Sequence, residues 1–273
     1  MPGYMRLRLC SSILAIVLLT GAVAAAAPST AGRGPAVTQM LAVRAESPDG
    51  FVRSGGGATT SFKDAGGADW IGKPAPGDDL GRDRTGNDHA IAGIYKLAEP
   101  TFGTLAPEVR IGTIEGKAYV LSKKIALGES RPLNDDQLKQ FADGFVVDAW
   151  LASSNVGGPW QLAVDGFGRP VRIEGGGGGL FRAGGASKGG AFANQVTELQ
   201  TMRDPLRATS YGFRKLADRD VKEQLRRFAA WYPTHKGDVD ALIDATTLRP
   251  AAASELKRKL AVRAAWLIAR SKR

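Results

Sequence analysis

The chain opens on an apolar block with no helical or strand-like alternation. Residues 13–23 are mostly apolar, with Leu14, Ile16, Val17, Leu18 and Leu19 at the centre. Arg6 and Arg8 precede the block with no acidic residue between, and Ala24-Ala25-Ala26-Ala27-Pro28 follows it. Basic, then apolar, then small is the order of a secretory signal peptide, with cleavage expected after Ala26. The apolar core falls short of the ~18–20 residues a helix needs to cross a bilayer. No stable membrane span is therefore expected after cleavage. Residues 27–50, rich in Ala, Pro, Ser and Gly, read as a flexible lead.

Further along, the pattern becomes that of packed elements. Ser54-Gly55-Gly56-Gly57-Ala58-Thr59-Thr60 is a glycine loop, and residues 69–73 read as a short strand. Residues 74–86 read as a charged loop, closed by Thr85 and Asp88 at capping-box spacing. Ile91, Ile94, Tyr95 and Ala98 then recur at helical spacing. Segments 108–114 and 117–125 alternate around Glu115-Gly116, a hairpin signal. A second helix is expected from Asn134, with Gln137 three residues on and a stripe of Leu138, Phe141, Phe145, Ala149 and Ala152. Segments 160–164 and 170–173 form another hairpin around Asp165-Gly166-Phe167-Gly168, followed at once by the glycine tract 175–179. Helices are expected near 193–203, 218–232, 237–245 and 251–270. The last carries Leu256, Leu260, Ala264 and Leu267 in register behind Pro250. Strands first and helices afterwards predict an α+β, two-lobed architecture: a strand-rich lobe over 51–130 and a helical lobe over 131–273. No internal repeat is evident.

Composition removes several function classes. The 273 residues include one Cys and two His, too few for a disulfide framework or a histidine–cysteine metal cluster. Aromatic residues make up 7%, which does not suggest stacking platforms for single-stranded nucleic acid. The net charge is +10, and loss of the two leader arginines would leave +8. The cleaved chain would hold no cysteine, which suits an oxidising compartment.

The remaining chemistry is a linear inventory. A glycine loop precedes a strand bearing Lys73. Then come Asp88 on a helix, a hairpin, and a helix ending in Ser153-Ser154-Asn155. Gln161 follows on one strand, with Glu174 at the end of its partner. Nucleotide phosphates call for such parts: backbone N–H groups, a fixed ammonium, a carboxylate to hold it and oxygen ligands for magnesium.

Three stretches also carry a resemblance. Phe145-Val146-Val147-Asp148-Ala149-Trp150-Leu151-Ala152 resembles a "vvDAWLaN" helix, and Gly168-Arg169-Pro170-Val171-Arg172-Ile173-Glu174-Gly175-Gly176 a "GrpvRIDnGG" hairpin exit. Leu180-Phe181-Arg182-Ala183-Gly184-Gly185-Ala186-Ser187-Lys188-Gly189 resembles "LlfRAqGapKG". These belong to the bacterial HipA-like and phosphatidylinositol-kinase-like branch of the protein-kinase fold, and the likeness spans about residues 52–235. The resemblance implies ATP and Mg²⁺ as cofactors of an active enzyme. It gives Lys73, Gly56 and Gly57 the nucleotide phosphates, Asp88 the pairing of that lysine, and Gln161 and Glu174 the metal. Asn155 stands where the family has a catalytic aspartate, and an amide takes up no proton near neutral pH. Gln161 and Glu174 are each one methylene longer than the ligands they replace. The scaffold residues Asp148, Trp150, Arg172, Arg182 and Lys188 are retained. The expectation is an exported kinase-like protein, a pseudokinase or weakly active phosphotransferase acting on a protein or other acceptor.

Two other readings compete. A non-catalytic exported module could bind an anionic partner through the basic C-terminal segment, with Lys257, Arg258, Lys259 and Arg263 as its charges. Gly185-Ala186-Ser187-Lys188-Gly189 matches G-x-S-x-G, and Asp204 and His235 follow in hydrolase order. A nucleophile elbow, however, needs an apolar strand before the serine and a helix after it, and the preceding residues are glycine-rich and basic.

Overall fold

A computed structural model describes residues 52–55, 60–75, 77–114, 117–126, 133–159, 161–172, 177–182 and 184–273. The expected signal peptide, the lead, Gly56, Gly57 and Glu174 lie outside the described residues.

The first half is an antiparallel sheet. Strands β1 (Val52–Gly55), β2 (Thr60–Lys63), β3 (Asp69–Pro74), β4 (Val109–Ile114) and β5 (Lys117–Lys123) lie in the order β1-β2-β3-β5-β4. The hairpin expected from alternation forms, with Ile111 opposite Val120 and Ile114 opposite Lys117. One sheet face buries a small apolar cluster of Phe62, Trp70, Ile114, Tyr119 and Leu121. Phe62 and Tyr119 meet edge to face at 5.1 Å.

Between β3 and β4 the chain runs through helix α1 (Asp79–Phe102). It starts well before the expected capping box. Asp78 takes the cap, its carboxylate accepting the Gly81 N–H at 2.8 Å. The reading of 74–86 as a loop is therefore corrected: its charged residues are the first two turns of a helix. Glycine did not break it, because Gly86 sits where a Cβ would come within 2.5 Å of the Leu248 backbone nitrogen. Helix and loop can approach only without a side chain there.

The second half is helical: α2 (Asp135–Ala142), α3 (Phe145–Trp150), a single turn α4 (Glu198–Thr201), α5 (Asp218–Asp244) and α6 (Pro250–Ser271). A two-stranded ribbon of β6 (Leu162–Val164) and β7 (Pro170–Arg172) lies between α3 and α4. The helix expected from Asn134 forms, and Asn134 and Gln137 make a capping box, each side chain bonded to the other's backbone. The apolar stripe beyond it does not belong to one helix. The chain breaks at Asp143-Gly144, and a Cβ on Gly144 would strike the Arg172 guanidinium. The helices expected at 218–232 and 237–245 are one, with Pro233 inside it on an exposed position. Trp231 above the proline and Val239 and Ile243 below it are buried in the same core, and that shared burial carries the helix across. The helix expected at 193–203 shrinks to one turn. The Ala193 carbonyl instead accepts from Arg263 at 2.7 Å.

Trp150 sits at the centre of the large core. Its rings meet Phe228, Trp231 and Tyr232 at 5.2–6.2 Å, and its Nε1–H donates to the Leu260 carbonyl at 2.9 Å. Helix α1 belongs to this core through Ile91, Ile94, Tyr95 and Ala98, and thereby joins the sheet to the helices. The fold is α+β, an antiparallel sheet followed by a mainly helical part.

Candidate functional site

Helix α1 supplies one wall of the site. Asn87 is fully buried, and its amide grips the end of the glycine tract. Its Nδ2 donates to the Gly178 carbonyl at 2.9 Å, and its Oδ1 accepts the Leu180 N–H at 2.9 Å. Gly179 has φ +65°, and a Cβ there would collide with Asn87 Oδ1. A Cβ on Gly178 would come within 2.6 Å of Ser153 Oγ. Gly178 and Gly179 are glycine because backbone, amide and hydroxyl meet there without room for side chains.

The second wall is the turn after α3. Ala152 has φ +54°, the one non-glycine residue in the left-handed region among those described. The Leu151 carbonyl accepts the Gly179 N–H at 2.7 Å. The Lys188 ammonium donates to the Ala152 carbonyl at 2.7 Å and to the Gly177 carbonyl. It also lies 5.6 Å from the Phe192 ring. Burial pulls its pKa down to about 7.

Beneath the turn lies an ion pair withdrawn from water. Arg172 Nε and Nη2 reach Asp148 Oδ1 and Oδ2 at 2.8 and 2.7 Å, and Nη2 also donates to the Phe141 carbonyl. Neither side chain reaches solvent. Burial pushes the Asp148 carboxyl upward, against the pull of Arg172.

Three basic side chains act electrostatically on Asp88 of α1. Asp88 has its carboxyl raised, chiefly by burial, while Arg84, Lys73 and Lys188 act on it electrostatically in the opposite direction. Lys73, on β3, is exposed. The Lys73–Asp88 pair that the resemblance implies does not close to an ion pair among the described residues. The contact to Asp88 that forms is from Asn87 Nδ2, at 3.3 Å. An aspartate reaches one methylene less far than a glutamate. Arg84, one helical turn before Asp88, was not singled out from the sequence, because its segment read as a loop. Its guanidinium lies where a Cβ on Gly185 would sit. Lys73 and Arg84 acting on one carboxylate leave a local excess of positive charge, which favours a polyanion.

Asn155 and Gln161 are brought together elsewhere on the same loop. The Asn155 carbonyl accepts the Gly158 N–H at 3.0 Å, and Gln161 Oε1 lies against Gly158 so closely that a Cβ there would clash. No group of three or more His, Cys, Asp or Glu side chains with metal-binding geometry occurs among the described residues.

The hydrolase motif does not fold as an elbow. Ser187 bridges to Phe181 across a tight turn, and its Oγ accepts the Gly189 N–H at 3.2 Å. The His235 ring stacks on Trp231 at 4.7 Å, with Nδ1 engaged by the Trp231 carbonyl and Thr234. Asp204 Oδ1 accepts the Leu206 N–H at 3.0 Å, so both partners have local roles.

The basic C-terminal segment also differs from expectation. Arg263 is buried, bonded to the carbonyls of Trp150, Ala149 and Ala193 and to Glu198 Oε2 at 2.9 Å. Its spacing put it in the core stripe, and α6 uses it to hold α3. It cannot offer charge to a surface partner. Lys257 pairs with Asp244 at 2.7 Å and Arg258 with Glu255 at 2.8 Å. No described helix is long and apolar enough to cross a membrane.

No protein-family model matches the chain, and neither does any curated protein. Two solved structures are similar. A Helicobacter pylori proinflammatory kinase, CtkA, aligns with TM-score 0.41 and 14% identity over 82% of this chain and 94% of its own. An aminoglycoside phosphotransferase from Alicyclobacillus acidocaldarius aligns with TM-score 0.31 and 11% identity over 89% of this chain and 98% of its own.

Proposed function

We propose that this chain is an exported protein of kinase-like fold that binds Mg-ATP and is at most a weak phosphotransferase. The observation that carries the reading is the electrostatic pull of Lys73 and Arg84 on Asp88, beside Gly178 and Gly179, where a side chain would not fit. Those residues fit the phosphates of a nucleotide through their charge, which offsets that of the phosphate oxygens. ATP would bring the transferable phosphoryl group, and magnesium would neutralise its charge. Lys73 and Arg84 would hold phosphate oxygens, and Gln161 and Glu174 would be the metal's side-chain ligands.

The acceptor side is where the site is weak. Asn155 can orient a hydroxyl but cannot take its proton. Loss of a general base commonly costs about 10²–10⁴ in rate. Export rests on the basic, apolar and small order of the first 28 residues. A compartment poor in ATP suits a protein whose catalysis has faded.

Thermal-shift titration of the cleaved chain with ATP, with and without Mg²⁺, tests the reading. Mg-ATP should raise the melting temperature, and Lys73→Ala should abolish the rise. No shift with either form would leave the non-catalytic reading, in which Lys257, Arg258 and Lys259 meet an anionic partner.

A further inference from the structure

We propose that Lys188 is a positioning residue that holds the Ala152 corner in its left-handed conformation, and so fixes where Ser153–Asn155 stands against the glycine tract. The geometry places one ammonium between two loops. It donates to Ala152 O at 2.7 Å and to Gly177 O on the facing tract. Both carbonyls belong to residues at positive φ, +54° and +96°. Gly177 adopts that conformation without penalty, and Ala152 does not, because its Cβ crowds the carbonyl oxygen. A strained residue persists only where its surroundings over-determine it.

The surroundings here are few and specific. The Gly179 N–H ties Leu151 O to the tract, the Ser153 N–H donates back to Asp148 O at 2.9 Å, and Lys188 takes the carbonyl between them. Without Lys188 the Ala152 carbonyl would lose its one hydrogen-bond partner among the described residues. The Val156 N–H bonds the Ser153 carbonyl at 3.1 Å, so a shift at the corner would carry through to Asn155.

Charge is secondary to this role. Two carbonyls need two N–H groups, and both the ammonium and the neutral amine supply them. Glu198 and Asp88 favour the charged form, while Arg263, Arg182 and burial oppose it. The positioning should therefore survive titration of the amine.

Amide hydrogen exchange on the ligand-free chain tests the inference without reference to nucleotide. Lys188→Met should speed exchange at Gly179 and Val156 by about tenfold or more, with little change at Leu121 in the sheet. In an Ala152→Gly background the same substitution should speed it several-fold less, because glycine takes the left-handed conformation unaided. A purely structural lysine would give the same acceleration in both backgrounds, and that result would overturn the proposal. So would wild-type protection in Lys188→Met. Should Lys188→Met not fold, NMR of the unmutated chain decides. Cross-hydrogen-bond coupling from Lys188 Nζ to the Ala152 and Gly177 carbonyl carbons supports the proposal. Ammonium protons exchanging like those of surface lysines refute it.

Discussion

Arg172 and Asp148 face each other at 2.7 and 2.8 Å with neither side chain open to water, directly beneath the turn that carries Ser153 and Asn155. The arginine comes from the exit of the β6–β7 ribbon and the aspartate from α3. In the sequence the glycine tract begins three residues after Arg172. The ion pair thus fixes the relative position of the two loops that build the site. Two charges without water are tolerable only together.

Arg172→Met should therefore destabilise the chain by about 3–5 kcal/mol, because it strands a buried carboxylate. Urea unfolding followed by circular dichroism checks this. A loss below about 1 kcal/mol would mean that water reaches the pair.

Arg263 and Arg258 of α6 should separate cleanly. Arg263→Met removes a buried guanidinium from four carbonyls and from Glu198 and should cost roughly 3–5 kcal/mol. Arg258→Met breaks an exposed pair with Glu255 and should stay within about 0.5 kcal/mol. Parallel melting curves give the comparison, and equal costs would contradict the burial of Arg263.

Asn87→Ala leaves the Gly178 carbonyl and Leu180 N–H unpaired at the edge of the core, with an expected cost of about 1–3 kcal/mol. Exchange of the Leu180 amide should accelerate more than that of the Trp150 backbone amide. Equal acceleration at both would indicate global loosening and not release of the tract.

His89 gives a pH dependence with a definite sign. Burial lowers its pKa from 6.5 to about 4, and its Nδ1 is buried with no partner among the described residues. Between those values the unfolded chain binds a proton that the folded chain refuses. The His89 contribution to stability is thus complete above pH 6.5 and is lost as pH falls through 4. His89→Leu should flatten the acid limb of a stability profile over that window. An unchanged limb would assign the loss to carboxylates alone.

Much of the fold was legible where local chemistry and packing agree. Asn134 and Gln137 announced a helix start and form one. Leu256, Leu260, Ala264 and Leu267 announced the buried face of α6 and occupy it. The failures share a cause: the deciding partner is distant in sequence. A run of polar and charged residues argued for a loop over 74–86, and only Leu248 and Arg249 explain why a helix forms there. Arg249 clamps that helix through Asp83 and Asp79 at 2.6–2.9 Å. For the same reason Arg84 stayed hidden, and Arg263 looked like one more surface cation. Of the site, Lys73 and Asp88 were legible as residue types in order. That Asp88 would meet several cations without pairing to any depends on side-chain reach and helix phase, which spacing does not reveal.

The sheet's apolar cluster is five buried side chains, while the helices share a far larger core. Such unequal halves need not come apart together. Because Lys73 rides on β3 and Asp88 on the helix anchored in the larger core, opening of the strands would carry the lysine away while Asp88, Asn87 and the tract stayed assembled. A polyanion bridging both would close that gap, so the weaker half of the molecule would draw its rigidity from what it holds.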